Sequence, residues 1–387
     1  MKKLIFLLSL FIAFQATAQE GIQFDHSSWK EAKAKAIEAK KLIFIDFYTQ
    51  WCGPCLNMAQ GVFSLGSVGN FYNDHFVNLK IDAENGEGVM LAKQYRIQSY
   101  PTFVFIDPQT EEAVHTSGSN QDKETFLFTG ASALEPTKRS GYLAEQKKRG
   151  NETPIFLLDY AHYVASRYNR SETLACLEKL ITMPGYSLEN PQVWTLFEKY
   201  ISGRENSLFK ILLSDTQKYA ATHTQKAVEA KLFKEYNYCP DAAEIAAAPE
   251  FNGKDFLIAK NEADRLINEA KYEQAAVILD RWMQNPGDFK EDLCNYFRFM
   301  TRAATREAFP RFWQDKCLEY SKYMAYNTFE RDDAVSHFDY ANQLEHYLRT
   351  LPEIQPYLPK CLTTEPAGGA KEYSLRPAVL KQKPRKK

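Results

Sequence analysis

The chain has 387 residues, with 48 Lys+Arg against 49 Asp+Glu, 44% hydrophobic residues and 14% aromatic ones. That balance describes a globular protein and excludes general disorder, a collagen repeat and a multi-span membrane protein; the near-zero net charge gives no case for nucleic acid as the main partner. The length suits two or three domains with buried cores, and seven cysteines are too sparse for a disulfide scaffold.

Met1-Lys2-Lys3, the apolar run Leu4 to Phe14 and the small-x-small triplet Ala16-Thr17-Ala18 predict a secretory signal peptide over residues 1–18, cut after Ala18. The apolar run is too short for a mature membrane anchor, and no later segment has eighteen uninterrupted apolar residues, so no stable membrane insertion is expected. The expected product is periplasmic or secreted, in a compartment where disulfides persist.

Residues 19–135 alternate between strand and helix signals. Ser28-Trp29-Lys30-Glu31 fits a capping box, with a helix to about Lys40. Leu42 to Tyr48 reads as a buried strand. A helix should start at Cys52 and falter near Ser64-Leu65-Gly66, with a second piece from Ser67 to His75. Phe76 to Ile81 and Thr102 to Ile106 read as strands, Glu87 to Gln94 as a helix, and Glu112 to Thr116 as a hairpin partner after the Asp107-Pro108 turn. Asn120 is the expected cap of a closing helix through Thr129. This order predicts an α/β domain, a central mixed sheet with helices on both faces.

After Pro136 helical periodicity takes over, and residues 136–363 are expected to form an all-α domain. Amphipathic segments run over Ile155–Arg167, Glu172–Thr182, Gln192–Ile201, Ala227–Tyr236, Phe256–Glu269, Glu273–Gln284 and Ala334–Leu351. The stretch Ala263 to Trp282 is similar to a tetratricopeptide helix pair; an irregular bundle of helical hairpins fits equally. Residues 364–387 are rich in Pro, Gly and Lys, and read as a solvated, disordered basic tail.

The chemistry concentrates in Trp51-Cys52-Gly53-Pro54-Cys55, directly after the strand Leu42 to Tyr48. Two thiols three positions apart at a helix start can close a small disulfide ring. Cys52 falls where unpaired backbone N–H groups and the helix dipole favour an anion. A thiolate attacks disulfides and a thiol does not, so that place makes Cys52 a nucleophile; pairs of this kind have pKa values of roughly 3.5 to 7.5. Cys55, one turn in, is shielded and suits the resolving role. Pro54 fits the first helical turn, where its missing donor is not needed, and Gly53 keeps the backbone N–H groups accessible. A zinc site would need more ligands; there is no second C-x-x-C and no His nearby in sequence, so no metal is expected. Taken by itself, the pair also fits a static structural disulfide.

From about Phe24 to Gly130 the sequence resembles the thioredoxin family. Phe47-Tyr48-x-x-Trp51-Cys52-Gly53-Pro54-Cys55 is close to that family's active-site stretch, Tyr100-Pro101-Thr102 matches its cis-proline loop, and Gly118 falls at its late glycine. The stretch Val62-Phe63-Ser64 through Phe76-Val77 is also similar to the periplasmic C-terminal domain of transmembrane thiol–disulfide reductases. The resemblance implies a thioredoxin fold, a Cys52–Cys55 dithiol/disulfide cycle with no organic cofactor, and a flat substrate-binding rim of Trp51, Gly53, Pro54, Tyr100 and Pro101. It also implies a cis bond before Pro101 and a membrane thiol–disulfide reductase as electron donor.

Leu42, Phe44, Asp46 and Tyr48 share one strand face, so a carboxylate sits in apolar surroundings that should raise its pKa. In the resembled family the buried aspartate six residues before the first cysteine relays a proton to or from the second, which implies that role for Asp46. Many thioredoxins carry a lysine where Asn78 stands; here Lys80 lies two positions on, on the same strand face.

Gly-Pro between the cysteines matches reducing members, whereas isomerases and oxidases more often carry His there, so the expected activity is reduction of protein disulfides, with isomerase or oxidase as the other direction. The helical region is then expected to recruit partners. A reading from another class makes the helical bundle the working part of an interaction protein and the first domain its scaffold. Cys176, Cys239, Cys294, Cys317 and Cys361 are an odd number and are expected to be mainly buried small hydrophobes.

Overall fold

The computed structural model of the chain describes residues 21–304, 309–328 and 334–351. The expected signal peptide, the basic tail and Cys361 lie outside the described residues. The chain divides into two compact units, the first ending at Tyr238 and the second beginning at Cys239.

The first unit opens with β1 (Phe24–Asp25) and α1 (Trp29–Ala39). The capping box is complete: the Ser28 hydroxyl accepts from the Glu31 N–H, and the Glu31 carboxylate accepts from the Ser28 N–H. β2 (Leu42–Tyr48) leads to α2 (Gly53–Asn57), which passes into a π-helical turn over Met58–Val62. α3 (Gly66–His75), β3 (Phe76–Asp82), α4 (Gly88–Gln94), β4 (Thr102–Ile106), β5 (Ala113–Gly118) and α5 (Lys123–Leu134) complete the alternation. The sheet order is β1-β3-β2-β4-β5; β1 and β2 run parallel to β3, while β4 is antiparallel to β2 and β5.

Alternation along the two central strands sends side chains to opposite faces, and both faces are covered. One cluster joins Ile43, Ile45 and Phe47 of β2 to Ala32 and Ala36 of α1, Leu91 of α4, and Val104 and Ile106 of β4. The other joins Phe44, Phe103 and Phe105 to Met58, Val68, Tyr72 and Phe126. Each such ring or branched chain contributes about 1.5–3 kcal/mol on burial, so β2 is held from both sides and fixes the register of the residues that follow it.

Two local expectations need correction. The closing helix starts at Lys123, capped by Asp122, whose carboxylate accepts the Thr125 N–H at 2.9 Å; Asn120 instead lies in the loop before it. The helix of the cysteines is α-helical only to Asn57; the Phe63 N–H reaches Met58 O, five residues back, which makes the π turn.

Beyond the sheet the first unit continues through α6 (Ser140–Lys148), α7 (Pro154–Ser166), α8 (Arg170–Leu180), α9 (Pro191–Tyr200), α10 (Ser207–Ser214), α11 (Thr216–His223) and α12 (Gln225–Tyr236). Polar contacts tie α6 and α7 to β5. Buried His115 accepts the Ser140 N–H on Nδ1 at 3.0 Å, and the Ser117 and Ser166 hydroxyls lie 2.9 Å apart. Burial pushes the His115 pKa down to about 3, so the ring is neutral.

The second unit, taken by itself, holds α13 (Ala242–Ala247), α14 (Lys254–Asn268), α15 (Tyr272–Gln284), α16 (Lys290–Ala304), α17 (Arg311–Asn327) and α18 (Ala334–Arg349). α14 and α15 form a helical hairpin, and α16, α17 and α18 pack in succession. Phe297 stacks on Tyr320 with ring centres 4.6 Å apart, and Arg302 holds Asp339 through two hydrogen bonds of 2.8 and 2.7 Å. No described helix is long and apolar enough to cross a membrane.

Candidate active site

β2 ends at Tyr48, and the chain turns through Thr49 and Gln50 to place Trp51 and Cys52 at the mouth of α2. Cys52 is the N-cap, with extended backbone, and the helix begins at Gly53-Pro54. Cys52 and Cys55 are joined in a disulfide with their Cα atoms 5.3 Å apart. The Cys55 N–H points at Cys52 Sγ at 3.1 Å. That donor is one of the orphan N–H groups of a helix start, where the partial positive charge favours an anion. Both cysteines are buried, Cys52 at 5% exposure and Cys55 at 2%.

Trp51 stands out from the surface at 65% exposure. Its indole N–H donates to Glu84 Oε2 at 3.0 Å, and its ring meets Tyr100 edge-on at 5.9 Å. The Tyr100–Pro101 bond is cis. Pro101 is buried, Tyr100 half-buried, and Gly53 and Pro54 exposed. Gly118 lies so close that a Cβ there would sit 2.8 Å from Pro101 O, and the Ser119 N–H donates to that oxygen at 3.1 Å. Only a glycine permits this approach. Trp51 and Tyr100 thus meet at an apolar rim beside the disulfide, and Glu84, which fixes the indole, carries no sequence signal that would have marked it.

Asp46 is completely buried, and neither carboxylate oxygen has a hydrogen-bond partner. It alternates with Phe44 on the β2 face that packs with Met58, from the π turn that continues the cysteine helix. Its cross-strand neighbours are Lys80 on β3 and Phe103 on β4. Burial pushes its pKa up to about 7, with the Lys80 charge pulling the other way. The Lys80 ammonium lies 4.8 Å from the centre of the Tyr48 ring. Asn78 pairs instead with Phe44 in register, and its amide donates to Asn73 Oδ1 at 3.0 Å.

A polar network behind the helix was not legible in the sequence. The Gln121 N–H donates to Met58 Sδ at 3.2 Å, and the Gln121 side chain donates to Ser117 Oγ, Gly118 O and Ser166 O while accepting from Thr129. Cys176, Cys239, Cys294 and Cys317 are buried and none forms a disulfide; burial pushes the thiols of Cys176 and Cys294 up to about 11 and that of Cys317 up to about 12.

A family model described as thioredoxin-like matches residues 25–108. Thioredoxin-1 of Drosophila melanogaster is 41% identical over 96 residues, which is 24% of this chain and 84% of that protein. Thioredoxin H-type 1 of Nicotiana tabacum is 33% identical over 78 residues, covering 20% of this chain and 57% of that protein. A solved thioredoxin from Thermus thermophilus aligns over 30% of this chain and 88% of its own, at 25% identity and a TM-score of 0.28. With its mixed sheet, its disulfide at a helix mouth and a 41% identical thioredoxin matched over most of that protein's length, the chain belongs to the thioredoxin family of thiol–disulfide oxidoreductases.

Proposed function

We propose that the protein is exported and reduces disulfides in other proteins, with Cys52 as nucleophile and Cys55 as resolving thiol. The observation that carries this reading is the sulfur of Cys52 at a helix start, faced by the Cys55 N–H at 3.1 Å. In the reduced enzyme the Cys52 thiolate attacks one sulfur of the substrate disulfide. A bond forms between Cys52 and that sulfur, the substrate S–S bond breaks, and the second substrate sulfur leaves as a thiolate. Cys55 then gives up its proton and attacks Cys52 Sγ, closing the ring and releasing the first substrate sulfur as a thiolate. Two electrons pass from the cysteine pair to the substrate. The ring reopens at the expense of a reduced dithiol donor, which we assign to a membrane thiol–disulfide reductase.

Asp46 is the proposed proton acceptor for Cys55. A carboxyl titrating at about 7 is divided between its two forms at neutral pH, so it can take a proton and return it. Trp51, Gly53, Pro54, Tyr100 and Pro101 form the proposed rim for substrate backbone. The Gly-Pro pair between the cysteines supports the reducing direction, and helices outside the sheet domain are proposed to recruit partners.

Reduction of insulin by dithiothreitol tests the reading. Cys52→Ser should abolish the catalysed rate, and an unchanged rate would defeat the proposal. Direction follows from the potential of the pair: a value near about -270 mV suits a reductase, one near about -120 mV an oxidant.

A further inference from the structure

The loop between β5 and α5 leaves the active-site rim and ends against the helices that follow. Gly118 and Ser119 touch Pro101 O. The next residue, Asn120, offers its carbonyl to the Tyr168 hydroxyl across 48 positions of sequence. Beside this contact lies a pocket of about 220 Å³, lined on one side by Asn120, Asp122 and Thr125 and on the other by Tyr168, Lys199 and Tyr200. One wall therefore belongs to the thioredoxin-like portion and the other to α7–α9 and their connections, within the same compact unit.

The charged and hydroxyl groups of this pocket largely satisfy one another. Lys199 pairs with Asp122 and donates to Thr125 Oγ1 at 2.7 Å, and the Thr125 and Tyr200 hydroxyls lie 2.6 Å apart. No unbalanced charge remains to draw an ion. What the site offers is ring surface: Tyr168 is 47% exposed and meets Tyr200 edge-on with centres 6.5 Å apart. Tyr168 also holds a backbone φ of 56°, in the left-handed region that costs a bulky residue energy and that Gly or Asn would occupy more easily. That φ closes α7, where the Tyr168 N–H donates to Ala165 O at 2.9 Å and the Asn169 N–H to Val164 O at 3.0 Å, while the hydroxyl is held by Asn120, next to Ser119; the ring is thus fixed at both ends with part of it open to the pocket.

We infer that Tyr168 is a specificity-determining residue: its ring and the adjoining pocket receive the uncharged polypeptide that flanks the target disulfide, so that α7–α9 extend the substrate groove beyond Pro101. The inference rests on the reading of the protein as a disulfide reductase. It assigns preference for disulfides carried in an extended polypeptide over disulfides of small molecules, which do not reach past the rim.

The test compares insulin with the small disulfide 5,5′-dithiobis(2-nitrobenzoate). Tyr168→Asn removes the ring while relieving the backbone, so the variant should fold as the parent does. KM for insulin should rise about threefold or more with kcat unchanged, and the rate on the small disulfide should not change. Tyr168→Phe keeps the ring and should keep the parental KM. An unchanged insulin KM in Tyr168→Asn, or an equal loss on both substrates, would overturn the inference, as would a Phe variant no better than the Asn one. Failure of the reductase reading looks different: there Cys52→Ser would leave both substrates reduced at the parental rate.

Discussion

Asp46 and Glu235 are both buried carboxylates of the first unit, one on β2 and one on α12, and their surroundings differ in almost everything that sets a carboxylate's energy. Glu235 Oε1 accepts from the Lys231 ammonium at 2.8 Å, and Oε2 accepts from the Gly203 N–H at 2.6 Å. Lys231 uses its remaining donors on the carbonyls of Ile201 and Phe197, at 2.6 and 3.2 Å, and so also caps the end of α9. Asp46 has none of this: both oxygens lie bare in an apolar layer, and the facing charge is Lys80 on the neighbouring strand. At Glu235, where only the fold is at stake, both oxygens of the buried carboxylate are satisfied. At Asp46, behind the cysteines, both are left unsatisfied, and the result is an acid that titrates near neutrality.

The pairing at Glu235 can be broken from one side. Lys231→Met should leave a carboxylate buried without its cation and destabilise the first unit by about 3–5 kcal/mol, read as a lower urea midpoint by circular dichroism. Removing both charges in Lys231→Met/Glu235→Leu should recover most of that loss, because no unpaired charge is then left buried at that site. A double variant as unstable as the single one would show that α9 needs its cap more than Glu235 needs its partner.

At Asp46 the sign reverses, because the wild-type residue is itself the cost. Below its ordinary value of 3.8 the carboxyl is protonated whether folded or unfolded; as pH rises the unfolded chain ionises first, while the folded one keeps its proton to about 7. The neutral form's contribution is therefore fully present below about pH 4 and lost as pH rises through about 7, at most about 4 kcal/mol for a shift of this size. Asp46→Asn should match the parent near pH 4 and exceed it by up to that amount near pH 8. Buried His115, with its pKa down at about 3, works the other way and loses stability as pH falls below its ordinary 6.5. The difference between parent and variant, measured by denaturation at each pH, isolates Asp46. The same variant should slow insulin reduction by about a hundredfold if the carboxylate takes the proton of Cys55.

These two sites also mark what the sequence makes legible. Asp46 could be found because its signal is local: a lone carboxylate on the apolar face of a strand, six residues before Cys52. The cysteine motif and the strands were legible for the same reason, since each depends on spacing along a few residues, whereas Tyr100 and Pro101 were read only through the resemblance to thioredoxins. Lys231 and Glu235 stand four apart on a helix and read as an ordinary surface pair; their burial is decided by Phe197 and Ile201, thirty or more positions away. Gln121 is alike, with partners at Met58 and Ser166. Asn120 and Asp122 are both good caps two residues apart, and the pull of Tyr168 on the Asn120 carbonyl, which no local pattern carries, accompanies the choice of Asp122. α6, α10, α11, α13, α16 and α17 escaped the periodicity reading; α10 and α11 are only 8 residues each and α13 only 6, too short for a clear repeat.

The smallest expected effect sharpens the comparison most, because it asks whether Lys80 is to Asp46 what Lys231 is to Glu235. The two lysines differ in kind: Lys231 donates a hydrogen bond to its carboxylate, whereas Lys80 acts on Asp46 by charge alone and sits near the ring of Tyr48. Lys80→Met should therefore leave the fold intact near pH 4, where Asp46 is neutral, and raise the Asp46 pKa above its present value of about 7. Fewer ionised carboxylates at neutral pH then mean slower resolution by Cys55, a loss of about twofold to tenfold in insulin reduction that recovers as pH rises. In an Asp46→Asn background the same substitution should change neither the rate nor its pH dependence, since a double-variant cycle isolates the coupling between the two groups. An equal loss in both backgrounds would mean that Lys80 serves the substrate or the strand and not the carboxyl, leaving the pKa of Asp46 to burial.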